Sequence, residues 1–423
     1  MKKLKIGLAG LGIVGKGVYD ILQKDAALIS KRTKNQLELV AVSARSKKDF
    51  IDSKIKFYEN TIDLANDPEI DVIIEVIGGD GIAKDLFETA IKNGKKIVTA
   101  NKALIAEHGV ELAKLVEKHN GYVGFEASTA GATPVIKMFK EGLSANKIEE
   151  FYAILNGTCN FILTKMKDEN LDFASALKEA QDLGYAESDP TFDIKGIDTA
   201  HKLTILASIA AGSKPLFKGL HIEGVDEISI DDINLANDFG YKIKLLAIYK
   251  KIGDSYQQTV YPALIKASDK IAQIDGAFNA ILTKASNANW NITVGSGAGS
   301  LPTASAIVAD LIDIANDRYS PMFGVASGDL KDSKIIPISD RVGQYFIRLV
   351  IDKNLAKKSD LAEVIFGKKI TIEKSAFFDR DEEILCGFLT NQQKEQDIVE
   401  ALKNLDHNLV KFSKFLRVET MGF

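Results

Sequence analysis

Leu4-Lys5-Ile6-Gly7-Leu8-Ala9 runs straight into Gly10-Leu11-Gly12-Ile13-Val14-Gly15, and Lys16–Gln23 then reads as a helix. The first six residues predict a short apolar strand. The glycines that follow are spaced G-x-G-x-x-G in the strand–turn–helix context that gives this spacing its meaning. Gly10 permits the tight turn, Gly12 lets the backbone approach a pyrophosphate, and Gly15 lets helix and strand pack closely. The helix N-terminus offers free N–H groups to the anion. Further strands are expected at Leu37–Val42, Asp71–Ile77, Lys96–Thr99 and Tyr122–Phe125, with helical patterns between them. That alternation predicts an α/β fold: a doubly wound, Rossmann-type domain over residues 1–135 that binds a dinucleotide.

The end of the second strand tests which dinucleotide. An NAD site would place Asp or Glu there, on the ribose 2′-hydroxyl. This chain has Ala44-Arg45-Ser46-Lys47-Lys48, which suits a 2′-phosphate, so NADP is expected ahead of NAD. The plainer reading is a solvated basic turn. Val98-Thr99-Ala100-Asn101-Lys102 closes another strand at its C-terminal edge, where open α/β sheets bind ligands. A lysine directly beyond a buried strand end is well placed to meet a substrate. Phe125-Glu126-Ala127-Ser128-Thr129-Ala130-Gly131-Ala132-Thr133-Pro134 is rich in small residues and has no periodicity. Such a loop exposes carbonyls that, with one carboxylate, hold a hard cation; it equally suits a tight turn between domains.

Asp198 and Lys202 are four apart in Ile197–Ala211, which reads as a helix, so both side chains lie on one face. Ile205 and Ile209 continue that face, while Leu203, Leu206 and Ala210 cover the other side. A helix apolar nearly all round is a buried one, and its two charges sit where charges are costly. The plain reading is an ion pair contributing about 0.3–0.5 kcal/mol; burial points toward function. An acid-rich loop, Glu187-Ser188-Asp189-Pro190, precedes it.

The chain's 423 residues are enough for two or three domains, and 46% hydrophobic with 26% charged residues is an ordinary globular balance. A net charge of -4 and a pI near 5.9 argue against a nucleic-acid partner. No apolar run approaches the roughly 20 residues of a membrane span, and Met1-Lys2-Lys3 leads into a strand instead of a signal-peptide core. Cys159 and Cys386 lie far apart, so neither a disulfide nor a zinc framework is expected. The five histidines show no metal-ligand spacing. A cytoplasmic enzyme is the expectation.

A second, α+β domain is expected over residues 136–325. Ile148–Leu155 reads as a strand, Asn156-Gly157-Thr158-Cys159-Asn160 as a polar turn opening the helix Phe161–Lys167, and Asp172–Leu183 as a helix closed by Gly184. Lys242–Tyr249, Gln258–Leu264 and Ile292–Val294 suggest another sheet, and Gly295-Ser296-Gly297-Ala298-Gly299 a glycine-rich turn before the helix Ala304–Ala315, expected to pack back on the first domain. Residues 341–423 look independent: strands Gln344–Ile351, Ile370–Phe377, Glu383–Leu389 and Phe412–Val418 with helices Ser359–Phe366 and Lys394–Asn404 give β-α-β-β-α-β, a ferredoxin-like module of regulatory type.

Gly10–Gly15, Thr99-Ala100-Asn101-Lys102, Glu126 with its loop, Asn156-Gly157-Thr158, and Gly184-Tyr185-Ala186-Glu187 through Asp198 and Lys202 together resemble the homoserine dehydrogenases. The likeness runs over essentially the whole chain, through Gly297-Ala298-Gly299 to a C-terminal module similar to an ACT domain. It implies NAD(P)-dependent interconversion of L-homoserine and L-aspartate 4-semialdehyde, in the pathway to threonine, methionine and isoleucine. It implies Lys202 as the acid/base lysine, Lys102 as a second lysine at the reacting centre, and Glu187 and Asp198 on the amino-acid substrate. Cofactor contacts would come from Gly10, Gly12, Ile13, Val14, Gly15, Arg45, Ala100, Lys102, Gly184, Gly297 and Gly299. A sodium ion of structural role would sit on Glu126, Thr129, Gly131 and Thr133, all but Glu126 through backbone carbonyls. A homodimer or homotetramer is implied.

Three positions depart from the pattern. Ile13 and Cys159 each stand where the family usually has Thr, and Asp352-Lys353-Asn354-Leu355-Ala356 lacks the glycine ACT modules use for effectors, which puts threonine feedback in question. Two rival readings are weaker. Aspartate-semialdehyde dehydrogenase chemistry needs a nucleophilic cysteine with a histidine base, and neither cysteine fits. A non-catalytic NADP-binding regulator would be expected to have lost Lys202 or Asp198.

Overall fold

The computed structural model describes residues 3–355, 361–367 and 369–422. Of the expected elements, the start of Ser359–Phe366, Ala356 and Met1-Lys2 lie outside the described residues. The first unit is β1 (Lys3–Ala9), α1 (Ile13–Lys24), α2 (Ala26–Arg32), β2 (Gln36–Ser43), β3 (Lys56–Tyr58), α3 (Ile62–Asn66), β4 (Val72–Glu75), α4 (Gly81–Lys92), β5 (Lys96–Thr99), α5 (Lys102–Lys118) and β6 (Val123–Gly124). Its strands are all parallel in the order β3-β2-β1-β4-β5-β6. The sheet carries helices on both faces, which is why β4 is apolar and buried almost throughout. Three residues of β3 escape the sequence reading because the strand is too short and too polar to show a period of two.

The second unit opens with the short α6 (Val135–Lys137) and continues through β7 (Ile148–Ile154), α7 (Gly157–Glu169), α8 (Phe173–Asp182), α9 (Thr191–Ile194), α10 (Ile197–Ala211), β8 (His221–Ile222), α11 (Ile230–Asp238), β9 (Tyr241–Ile252), β10 (Ser255–Lys266), β11 (Phe278–Ala285), β12 (Asn289–Ser296) and α12 (Ser300–Ala315). α10 has the expected bounds and is buried along most of its length, with a left-handed glycine at each end (Gly196 φ +78°, Gly212 φ +60°). α7 begins four residues earlier than expected. Asn156 is a helix cap and not part of a free turn: its Oδ1 accepts the Cys159 N–H at 2.8 Å. α12 turns back onto the first unit, where Ala304, Ile307, Leu311 and Ile314 share a core with Ile6, Leu8, Val42 and Val98.

The last stretch forms β13 (Val342–Asp352), α13 (Leu361–Phe366), β14 (Ile372–Asp379), β15 (Glu383–Thr390), β16 (Gln393–Lys394), α14 (Glu395–Lys403) and β17 (Val410–Glu419). Its order, β17-β13-β15-β14, is ferredoxin-like. The expected independence of this module is corrected. β17 pairs in parallel with β10, so one sheet of eleven strands runs through both units in the order β12-β11-β7-β9-β10-β17-β13-β15-β14, with β16 and β8 beside it. Pairing removes an open edge from each partner. Buried charge then staples the seam: Glu419 accepts from Tyr261 Oη (2.7 Å), Lys250 Nζ (2.7 Å) and Arg341 Nη2 (2.8 Å). Arg417 reaches Glu223 at 2.7 Å and Glu395 at 2.6 Å. Sequence periodicity cannot show a seam made of single charges contributed from separate strands.

Burial alone would raise the Glu419 pKa, but Lys250 and Arg341 outweigh it and bring the carboxyl from 4.5 down to about 2. A carboxyl depressed on folding contributes stability that is full above its unfolded pKa and is lost as pH falls through the folded one. We expect Glu419→Gln to cost about 3–5 kcal/mol at pH 7, with the difference from wild type shrinking between pH 4.5 and about 2. Denaturant melts at several pH values measure it; a constant difference across that window would remove the assignment.

Candidate active site

The turn after β1 is shaped for an anion. Gly10 has φ +104° and donates its N–H to Ser43 O at 2.9 Å. A Cβ on Gly15 would lie 2.0 Å from Gly10 O, whereas one on Gly12 would meet nothing within 4 Å. The space over Gly12 is therefore open. α1 starts there with no side-chain cap, leaving the N–H groups of Ile13, Val14 and Gly15 turned to the opening. Ile13 is exposed, so its departure from Thr leaves this backbone cradle intact. Arg45 follows two residues after Ser43, is exposed, and pairs with no described carboxylate. These residues fit a dinucleotide. Gly299 (φ +118°) delivers Ser300, whose Oγ donates to Ile13 O at 2.7 Å, so the predicted glycine turn of residues 295–299 meets the cradle directly.

Beyond β5, Asn101 caps α5 by accepting the Leu104 N–H, which sets Lys102 as the helix's first residue. The Ala100 N–H donates to Glu75 O at 3.3 Å. Lys102 Nζ lies 3.0 Å from Asp198 Oδ1, and Lys202 Nζ lies 2.6 Å from Asp198 Oδ2. The three predicted residues thus form one Lys–Asp–Lys cluster, and Asp198 links the two units. Lys202 also donates to the Leu155 carbonyl at 2.8 Å. Side-chain exposure is 12% for Lys202, 6% for Asp198 and 32% for Lys102. Burial by itself would raise the Asp198 pKa, but Lys202 and then Lys102 hold the carboxyl well below the usual range.

Two further members went unread in the sequence. Asn156 Nδ2 donates to Asp198 Oδ2 at 3.0 Å and to Asp193 Oδ1 at 2.8 Å. Burial, and then the Asp198 charge, push the Asp193 carboxyl up. The signal for Asn156 was its position as the cap between β7 and α7; for Asp193 it was five residues' distance from Asp198. Glu75 was also missed. Its buried carboxylate takes the N–H of Ile77 (2.8 Å) and Gly78 (3.1 Å) and the Thr99 hydroxyl (2.5 Å), tying two strand ends beside the cleft.

Glu187 is not drawn into the cluster. It is exposed, and among the described residues its backbone carbonyl is engaged, by Gln181 Nε2, while its carboxylate is not. Gly184, at φ +76°, is the expected left-handed residue after α8, and Tyr185 O accepts the Thr158 hydroxyl at 2.7 Å.

The Glu126 loop lies against the glycine turn: a Cβ on Gly131 would sit 2.6 Å from Gly297 O, and Ala132 N–H donates to Ser296 O. The buried Glu126 carboxylate accepts the N–H of Ile136 (2.9 Å) and Lys137 (2.7 Å). Burial and the neighbouring Asp310 raise its pKa to about 7. Thr133 Oγ1 is buried without a partner among the described residues, while its carbonyl, the expected ligand atom, accepts the Val135 N–H at 2.8 Å. The Thr129 and Gly131 carbonyls accept no hydrogen bond from the described residues. An all-oxygen set with one carboxylate fits a hard monovalent cation.

Family models match this chain twice, as "Homoserine dehydrogenase, NAD binding domain" over residues 10–126 and as "Homoserine dehydrogenase" over residues 134–312. A homoserine dehydrogenase of Pseudomonas aeruginosa is 38% identical over 96% of each chain. The crystal structure of a Thiobacillus denitrificans homoserine dehydrogenase superposes with a TM-score of 0.92 at 37% identity, over 100% of this chain and 99% of that one. A hyperthermophilic archaeal homoserine dehydrogenase solved in complex with NADPH covers 74% of this chain and 97% of its own, with a TM-score of 0.63 at 26% identity.

Proposed function

The chain belongs to the homoserine dehydrogenase family, an NAD(P)-dependent oxidoreductase of amino-acid biosynthesis that interconverts L-homoserine and L-aspartate 4-semialdehyde, and on that premise we propose how its residues divide the work. The observation that carries the reading is the pair of acceptors on Lys202. An ammonium has three N–H donors; Asp198 Oδ2 and Leu155 O take two, and the third is left for the substrate oxygen. In the reducing direction Lys202 gives its proton to the alkoxide that develops from the aldehyde, and in the oxidising direction its amine takes the hydroxyl proton. Lys102 offers a second cation to the same oxygen. The bound nicotinamide supplies or accepts the hydride.

Asp198 holds both lysines at the reacting centre, on the substrate side of the cleft. Glu187, whose side chain is exposed, receives the substrate ammonium. Gly10, Gly12, Ile13, Val14, Gly15, Ala100, Gly184, Gly297 and Gly299 line the dinucleotide, with Arg45 on its 2′-phosphate. We further propose sodium at Glu126, Thr129, Gly131 and Thr133, a cytoplasmic homodimer or homotetramer, a role in methionine and isoleucine as well as threonine supply, and a regulatory, ACT-like part for residues 341–423. No described helix is long and apolar enough to cross a membrane.

Homoserine oxidation followed with NADP and with NAD tests the reading. Arg45→Ala should raise KM for NADP about tenfold, the effect of one lost charge-assisted contact, while leaving KM for NAD within about twofold. Equal changes for both cofactors would remove Arg45 from the 2′-phosphate. For the cation, added NaCl should raise the Tm of wild type above that in choline chloride, and Glu126→Gln should abolish the difference.

A further inference from the structure

We infer that Phe192 is a positioning residue for Lys102, held in place by His201. The inference rests on the role proposed for Lys102. Phe192 lies on the single turn of α9 and the residue is 43% exposed, so burial alone does not explain an aromatic side chain here. The Lys102 ammonium sits 5.6 Å from the ring centroid, within the range at which a cation is drawn to an aromatic face. The same ammonium lies 3.0 Å from Asp198 Oδ1. The ammonium thus has two attractive partners, a carboxylate and a ring, that together restrict where it sits.

The ring is fixed by what lies beneath it. His201 stacks on Phe192 with centroids 5.5 Å apart and planes at 22°, and on Phe217 at 4.5 Å and 19°. Offset stacks of this kind contribute beyond their buried area. His201 cannot turn freely. Its Nδ1 lies 3.0 Å from Ile197 O, one turn back on α10, and its Nε2 lies 3.6 Å from Glu107 on α5. The Phe192–His201–Phe217 slab therefore ties α9 to α10 and to α5, the helix that Lys102 begins. α9 is only four residues long and follows an exposed loop; Asn156 and Val225 hold Asp193 and Ile194, and the slab holds the Phe192 side chain itself. A leucine could fill much of the same space but has no quadrupole with which to hold a cation.

The test is steady-state kinetics and thermal melting of the full chain. Phe192→Leu should lower kcat for homoserine oxidation about tenfold, the size of a partly desolvated cation–π contact. KM for homoserine should move less than about threefold and Tm by no more than a few degrees. Phe192→Tyr, which restores the face, should return kcat to within about twofold of wild type. If Lys102→Met is inactive but Phe192→Leu keeps its kcat, or Phe192→Tyr is as impaired as Phe192→Leu, the inference is overturned while the role of Lys102 stands. If Lys102→Met keeps its kcat, that role falls and the inference with it.

Discussion

Lys202→Ala should stop turnover: kcat for homoserine oxidation is expected to fall by about a thousandfold or more, the upper range for losing a positioned acid/base group. Cofactor affinity, read by quenching of protein fluorescence or by calorimetry, should be unchanged, because Lys202 sits on the substrate side of the cluster. The fold should survive as well. The truncation leaves Asp198 with Lys102 and Asn156 as partners, so the buried charge is not stranded. Lys202→Arg is the sharper variant. It keeps the positive charge beside Asp198 and can still donate to Leu155 O, but a guanidinium does not release a proton near neutral pH. We expect it to bind homoserine and still turn over at least about a hundredfold more slowly. A Lys202→Arg enzyme with near-normal kcat would mean that the cluster acts by charge alone and that the proton travels elsewhere.

Much of this was legible before any coordinates. The glycine spacing after β1 and the alternation of strands with helical patterns describe the first unit well, because a parallel sheet buried on both faces writes its strands as continuous apolar runs. Ile197–Ala211 declared itself through two charges in a helix with apolar residues on nearly every side, and Lys102 through its place beyond a strand end. Harder to read was anything that depends on pairs distant in sequence. Asn156 and Asp193 are 37 apart, and each looks like an ordinary cap or loop residue until the fold joins them. The seam between β10 and β17 joins strands about 150 residues apart, so a module that is locally complete reads as independent. Glu187 is the converse case: its motif is clear, yet its side chain is exposed and stands apart from the cluster.

Asp198 carries the second large expectation. Its two oxygens separate two lysine ammoniums, at 3.0 Å and 2.6 Å, and with Asp198 and Lys202 buried, water screens the pair poorly. Asp198→Asn keeps the shape and removes the charge. Two cations would then face each other across an amide, and the repulsion drives one of the side chains out of the site. We expect kcat to fall about a hundredfold or more, since displacing a reacting group by about 1 Å is enough for that. The stability cost should be about 3 kcal/mol, at the low end for breaking a buried pair because Lys102 keeps partial access to solvent. The sign with pH follows from the depressed carboxyl. A group held ionised on folding contributes its full stability above the unfolded carboxylate pKa of roughly 4, and that contribution drains away as pH falls below it. Wild type and Asp198→Asn should therefore differ by a constant amount from pH 6 to 9 and converge in acid. If the two melt alike at pH 7, the carboxylate is not holding the lysines together. If instead the variant is destabilised but turns over normally, the Asp198 carboxylate is structural and the lysines do their chemistry without it.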